Sequence, residues 1–348
     1  MTTAYIAIDL HRTVIQICVL DAGGERIAEE RFRYHNLEEG LEAVSFVKRF
    51  GPDCRVAVEA LGLNRWFVNA CQAAELEVLV CDARKLDLKK LGKKTDRRDA
   101  REIARKLWLG DLDRTARTYY PSDEEYGRRK LLRVRHRLVQ MRQQTINQLR
   151  GMLNAYQVSA PRGVLYTRPS RERLAEILLP VEELQEAYTA LLAVLDQLQE
   201  QIQRLTNQIR QLPKRDTRVG ALEATLPGIG AQSAATLIAE LGDATRFRNS
   251  RAVAAYAGLV PKVNQSADKA HHGRLTKQGN PELRWIVSQW AVRLIKDDPE
   301  VNAWARNLRG RVHKNKARMA LARRLLVGVW VVLTRGEAFD LRRCLGQA

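Results

Sequence analysis

The spacing of apolar residues changes several times over the first eighty positions, and each change predicts an element. Tyr5–Asp9 and Val14–Leu20 are short runs rich in aliphatic residues. Asp21-Ala22-Gly23-Gly24 separates them from a third, alternating run, Glu25–Tyr34. Three strands joined by tight turns are expected. In Leu37–Phe50, Leu41, Val44 and Val47 fall on one side of a helix. Val56–Glu59 is a short apolar strand ending in an acid, Arg65–Ala74 is helical, and Glu77–Cys81 is a further strand. A meander followed by alternating strands and helices predicts a mixed sheet flanked by helices.

Beyond residue 100 the pattern is helical. A helix is expected over Arg101–Leu109 and a long one over roughly 122–154, followed by a loop-like stretch at 155–170 with Pro161, Gly163 and Pro169. Leu184, Tyr188, Leu191, Leu195, Leu198, Ile202, Leu205, Ile209 and Leu212 then step alternately by four and three, a heptad seam that Pro213 ends. Such a seam predicts a coiled coil, either between protomers or folded back on the 122–154 helix. Pro227-Gly228-Ile229-Gly230, between two short helices, reads as a helix-hairpin-helix. Gly228 and Gly230 would let the backbone approach a phosphate at the start of the next helix. Residues 254–280 are polar and glycine-containing and read as a loop. Three parts follow: 1–110, an α/β domain; 111–215, a helical, basic, coiled-coil region; and 216–348, a mainly α domain.

Charge adds a partner. The 348 residues carry 59 Lys and Arg against 40 Asp and Glu, a net +19, which points to a polyanion such as nucleic acid. The excess is segregated. Residues 84–98 carry Arg84, Lys85, Lys89, Lys90, Lys93, Lys94, Arg97 and Arg98. The acid-free run 128–150 holds Arg128, Arg129, Lys130, Arg133, Arg135, Arg137, Arg142 and Arg150. A second acid-free run, 306–324, includes Arg309, Arg311, Lys314 and Lys316. Such runs suit a surface that tracks a phosphate backbone. The five cysteines form no C-x-x-C pair, and several sit in apolar runs and read as buried free thiols, which suits a reducing cytoplasm. No signal peptide and no apolar run long enough to span a membrane is read.

The chemistry centres on acids. Asp96 and Asp99 sit three apart at a helix start, on one face, inside a run of bases. A plain structural account also fits them: Thr95 as N-cap and both acids complementing the helix dipole. Asp9 and Glu59, however, end apolar strands, where an unpaired carboxylate is costly. Four oxygen donors without His or Cys favour a hard cation, Mg²⁺ or Mn²⁺. Such ions activate a nucleophile and steady the leaving oxygen in phosphoryl transfer.

The chain resembles the one-ten family of insertion-sequence transposases, the bridge-RNA-guided recombinases, over nearly its whole length. The resemblance rests on Ala7-Ile8-Asp9, Val58-Glu59-Ala60, Lys94-Thr95-Asp96-Arg97-Arg98-Asp99-Ala100, Leu226-Pro227-Gly228-Ile229-Gly230, Tyr256-Ala257-Gly258-Leu259-Val260-Pro261, Ser266 and Gly273-Arg274-Leu275-Thr276-Lys277-Gln278-Gly279-Asn280. It implies an N-terminal RuvC-like, ribonuclease H-type fold in which Asp9, Glu59, Asp96 and Asp99 match the Asp-Glu-Asp-Asp metal set. It implies a C-terminal transposase domain in which Ser266 falls on the nucleophile. It further implies strand exchange through a covalent phosphoserine, target and donor DNA as substrates, and a structured non-coding guide RNA. The implied assembly is a homo-oligomer, a dimer or tetramer, in a prokaryotic cytoplasm and on the nucleoid when DNA-bound. Lys269, Arg274 and Lys277 are expected beside the nucleic acid. The alternative reading is a metal-dependent nuclease or Holliday-junction resolvase that uses only the four carboxylates.

Overall fold

The structure is a computed structural model that describes residues 4–82, 95–160, 165–266, 269–310 and 312–346, with the backbone alone at 114–115, 262–266 and 269–274. Lys93, Lys94 and the rest of the basic segment 84–94, together with Arg311, lie outside the described residues. Contacts divide the chain into two units, Met1–Tyr120 and Pro121–Ala348.

In the first unit β1 (Ala4–Leu10), β2 (Val14–Asp21) and β3 (Arg26–Arg33) form an antiparallel meander. β4 (Arg55–Glu59) pairs in parallel with β1, and β5 (Glu77–Cys81) in parallel with β4, giving the order β3-β2-β1-β4-β5. Parallel neighbours need crossovers, and α1 (Leu37–Lys48) and α2 (Arg65–Ala73) supply them. The expected mixed sheet flanked by helices is therefore observed.

The apolar runs of β1, β2 and β4 are continuous because both faces are covered. Ile6, Ile8, Ile15, Ile17, Val56 and Val58 pack with Val44, Val47, Phe67 and Val68 of α1 and α2. On the other face Ala7, Cys18, Ala57 and Leu79 meet Ala100, Ile103, Ala104 and Leu107 of α3 (Asp96–Trp108). Alanines on both sides of this contact let α3 lie close to the sheet, and each large side chain buried there contributes roughly 1.5–3 kcal/mol. β3 lies at the sheet edge and is largely exposed, and its Arg26, Glu29, Glu30, Arg31 and Arg33 suit an edge that must not recruit another strand. Gly24 has a φ of +85° and lies under the Trp108 ring, where a Cβ would sit 2.7 Å from a ring atom. Glycine is thus required on two counts, and Trp108 Nε1 donates to the Ala22 carbonyl at 3.2 Å.

The second unit begins with α4 (Asp123–Ala155), opened by a reciprocal capping box between Ser122 and Glu125. α5 (Arg168–Ala175) starts with Pro169 in its first turn, where proline is favoured. α6 (Glu182–Ile209) carries the heptad seam. Arg142 bonds Gln199 at 2.6 Å and Arg135 bonds Thr206 at 2.9 Å, so α4 and α6 run antiparallel. Tyr188, Leu192 and Leu195 are buried with Ile146, Leu149 and Leu153 of α4. Of the two arrangements the spacing allowed, the structure has this stretch of the seam packed on α4 of the same chain.

The rest is α7 (Leu212–Arg215), α8 (Thr217–Thr225), α9 (Ala231–Leu241), α10 (Ser250–Tyr256), a hairpin of β6 (Pro261–Ser266) and β7 (Lys269–Leu275), α11 (Pro281–Asp297), α12 (Pro299–Arg309), α13 (Lys314–Arg335) and α14 (Leu341–Leu345). Leu222, Leu237, Val253, Val287, Leu325 and Val329 are among its core residues. The expectation of a loop over 254–280 is corrected here: α10 runs to Tyr256 and an antiparallel hairpin spans 261–275. A two-stranded hairpin is held by backbone pairing and needs no apolar alternation, so a polar sequence concealed it. All five cysteines are free and buried, as expected. Among the described residues no helix is long and apolar enough to cross a membrane.

Candidate metal centre and the serine hairpin

Side-chain alternation places the acids. Ala7 and Ala57 point to the α3 side of the sheet, so Asp9 and Glu59, two residues further on, point the same way. Ile8 is paired with Val58, which brings Asp9 and Glu59 to the same end of neighbouring strands. α3 begins above that end. Thr95 Oγ1 accepts from the Arg98 amide at 3.3 Å as its N-cap, and Asp96 and Asp99 occupy the first turn. The two acids complement a helix start, as the plain structural account has it, and that start lies beside Asp9.

A residue that sequence reasoning missed joins them. His11 Nε2 lies 3.2 Å from Asp9 Oδ2 and 3.2 Å from Asp96 Oδ1. Ligand atoms of Asp9, His11 and Asp96 all lie within 4.8 Å of one another. The available signal was again alternation, since His11 follows Asp9 by two on the same side. Gln16, the register partner of Asp9, is also buried and donates to the Glu30 carbonyl at 3.1 Å. A cavity of about 560 Å³ opens beside Asp96, lined by Gln16, Glu29, Glu30, Arg31, Thr95 and Arg97.

Asp9 is only 3% exposed. Burial pushes its carboxyl above the usual range, His11 opposes the shift, and the charges of Asp96 and Asp99 add to it. A buried carboxylate facing further carboxylates asks for a cation. The donors, two carboxylates with an imidazole and with Asp99 and Glu59 at hand, fit a divalent metal. Glu29 holds the approach to the site in shape. It accepts from Arg97 at 2.9 Å and from Arg101 at 2.8 and 2.7 Å, one helical turn apart on α3, and its carboxyl is pulled below the usual range chiefly by Arg101.

In the second unit Ser266 ends β6, Lys269 opens β7, and the two are register partners across the hairpin. Arg274 lies further along β7, and Lys277 follows with a φ of +52°. The hairpin's base is fixed from below. Glu240 of α9, 1% exposed, accepts from Arg133 at 2.7 and 2.7 Å and from Asn280 Nδ2 at 2.6 Å. Asn280 caps α11 through the Leu283 amide at 3.0 Å. Gly279, φ +128°, has the Tyr256 carbonyl oxygen 2.4 Å from where a Cβ would stand.

The expected nucleic-acid contacts fall into two sets. Several basic residues are engaged within the chain: Arg97 with Glu29, Arg128 with Asp216 and Glu124, Arg129 with the Ala239 carbonyl, and Arg133 with Glu240. Lys130 lies over the Tyr126 ring at 5.2 Å, and Arg98 is in the first turn of α3. Arg137, at the surface, bonds Gln140 at 3.5 Å. Arg309, Lys314 and Lys316 are exposed and make no ion pair with another described residue. Gly228 (φ +71°) and Gly230 lie in the turn between α8 and α9, where the Ala231 amide already receives the Glu223 carboxylate at 2.8 Å.

A mixed sheet with a carboxylate cluster at the end of its central strand defines a protein that can place a divalent metal beside a phosphate. Residues 6–158 match the DEDD "Transposase" family of IS110 elements, and residues 221–305 match the "Transposase IS116/IS110/IS902 family". The transposase for insertion sequence element IS1111A of Coxiella burnetii is 25% identical over 342 residues, covering 96% of this chain and 90% of that protein. The transposase for insertion sequence element IS1328 of Yersinia enterocolitica is 31% identical over 228 residues, 63% and 66% of the two chains. A pilin gene-inverting protein of Moraxella bovis is 30% identical over 151 residues, 42% and 45% of the two chains. The chain belongs to the IS110 family of transposases, and its activity is that of a transposase or recombinase acting on DNA.

Proposed function

We propose that this transposase cuts and rejoins DNA strands through a phosphoserine at Ser266, with Asp9, Glu59, Asp96 and Asp99 holding Mg²⁺ or Mn²⁺ and a structured non-coding RNA choosing target and donor. The observation that carries the metal half is the convergence of Asp9 and Asp96, with Asp99 and Glu59 beside them, at one end of the sheet. When bound, a divalent ion polarises the scissile phosphate and offsets the charge that develops on it. Ser266 supplies the nucleophile: its Oγ–H bond breaks, an Oγ–P bond forms, and the displaced strand leaves with its oxygen protonated. A hydroxyl of the incoming strand then attacks the phosphoserine and restores the serine, so one phosphoester is exchanged for another and no ATP is needed. The Ser266–Lys269 backbone register supports this role, because it sets a basic residue opposite the serine at the end of the hairpin.

The basic runs and the family resemblance support the RNA. Base pairing would read sequence while Lys and Arg hold backbones. The assembly we propose is a homo-oligomer, dimer or tetramer, with acids and serine contributed by different protomers.

Ser266→Ala decides the central step. The variant should yield no covalent protein–DNA adduct and no strand exchange, although its four acids are intact. Undiminished exchange would overturn the serine and leave a nuclease or resolvase that works through the carboxylates alone. Sequencing RNA that co-purifies with the protein tests the guide, and recombination by RNA-free protein would remove it.

A further inference from the structure

We propose that His11 is itself a ligand of the metal at Asp9 and Asp96, through Nε2, and that this nitrogen makes the site favour a first-row transition ion such as Mn²⁺ over Mg²⁺. The inference rests on the metal reading above and adds a donor that an all-carboxylate set lacks.

Three observations converge. His11 Nε2 is 3.2 Å from an oxygen of each aspartate. An ion with ligands at about 2.1 Å in octahedral geometry sets neighbouring donors about 3.0 Å apart, so Nε2 already stands from each aspartate oxygen at nearly the spacing of adjacent ligands on one ion. The backbone that carries the ring is also held. The His11 amide donates to the Val14 carbonyl at 2.8 Å, and the His11 carbonyl accepts from Tyr34 Oη at 2.6 Å. The backbone from which the imidazole extends is thus fixed on both sides of the turn between β1 and β2. Finally, the His11 side chain is 43% exposed whereas that of Asp9 is 4% exposed, so an ion can reach the buried carboxylate along the imidazole edge.

The chemistry then sets the preference. Mg²⁺ takes oxygen donors and retains water, whereas imidazole nitrogen favours later first-row ions. With its proton on Nδ1, His11 presents the Nε2 lone pair to the space between the aspartates.

The test uses the full-length protein stripped of metal and loaded with Mn²⁺, read by pulsed electron paramagnetic resonance. A coupling from one imidazole ¹⁴N is expected in the wild type. It should vanish in both His11→Gln and His11→Ala, with Mn²⁺ affinity lowered about tenfold and Mg²⁺ affinity, from competition, changed much less. Circular dichroism confirms that each variant is folded. Mn²⁺ bound without a ¹⁴N coupling, or a coupling that survives in either variant, overturns the ligand role of His11 and leaves the metal reading standing. Failure of the wild type to bind Mn²⁺, or binding undiminished in Asp9→Asn, overturns the metal reading and His11 with it.

Discussion

With the proposed metal role, Asp9 sets stability against activity in one residue. Its carboxylate sits at the end of an apolar strand, 3% exposed, and burial raises its pKa. A carboxyl whose pKa is raised by folding costs stability once the pH exceeds its unfolded value. Asp9→Asn should therefore raise the melting temperature of the metal-free protein at neutral pH. The same change should lower strand exchange by at least about a hundredfold, since metal stabilisation of a developing charge is worth several kcal/mol. Calorimetry and a recombination assay on one preparation check both signs, and a lower melting temperature would show that the buried carboxylate does not cost the fold stability. Asp9 and Asp96 were legible in the sequence because an acid in an apolar strand, or two acids among bases, break a pattern. His11 broke none: a polar residue at a strand end is ordinary, and only its distance from two carboxylates distinguishes it.

At the scale of elements, charged residues brace the second unit. Glu240 lies in Ala-Ala-Thr-Leu-Ile-Ala-Glu-Leu, the apolar helix α9, and joins α4, α9 and the cap of α11. Glu240→Ala should destabilise the unit by about 3 kcal/mol, because it strands Arg133 and Asn280 together. Glu240→Gln should cost less, and thermal melts of the pair measure the difference. Asp216 makes a second brace between α8 and α4. Its hydrogen bonds with Arg218, and then the charge of Arg128, lower its pKa from 3.8 to about 2. A depressed carboxyl contributes stability above its unfolded pKa and loses it as pH falls toward the folded one. About 2 kcal/mol should disappear between roughly pH 4 and pH 2, and denaturant melts of Asp216→Asn should lack that component. The heptad seam was plain in the sequence, but its partner was not. Periodicity states that a face is apolar; the constant pairing of Arg142 with Gln199 and Arg135 with Thr206 identifies α4 as what covers it.

Across the whole molecule, the +19 charge is read out as salt dependence. Arg128, Arg129 and Arg133 are committed inside the fold, whereas Lys314 and Lys316 at the start of α13 are exposed. Changing both lysines to glutamine should weaken binding to any duplex alike and reduce the slope of log affinity against log salt by about 2. Arg133→Gln should instead appear mainly as lost stability. Binding isotherms at several salt concentrations separate the two cases, and an unchanged slope for the lysine pair would place the DNA elsewhere.

The sequence by itself determined the mixed sheet, the long helices, the sites of the four acids and the basic character of the chain. These depend on local periodicity, on turn residues and on summed charge, all of which are properties of neighbours along the chain. Only the tertiary structure decided that His11 meets Asp9 and Asp96, that α4 covers the seam, that a polar stretch forms the serine hairpin, and which arginines are spent on internal acids. Each of these depends on which distant residues share a few ångströms. Arg133 and Arg137 look alike in the sequence, as bases of one helix, and differ in what the fold sets beside them: buried Glu240 for Arg133, and Gln140 at the surface for Arg137.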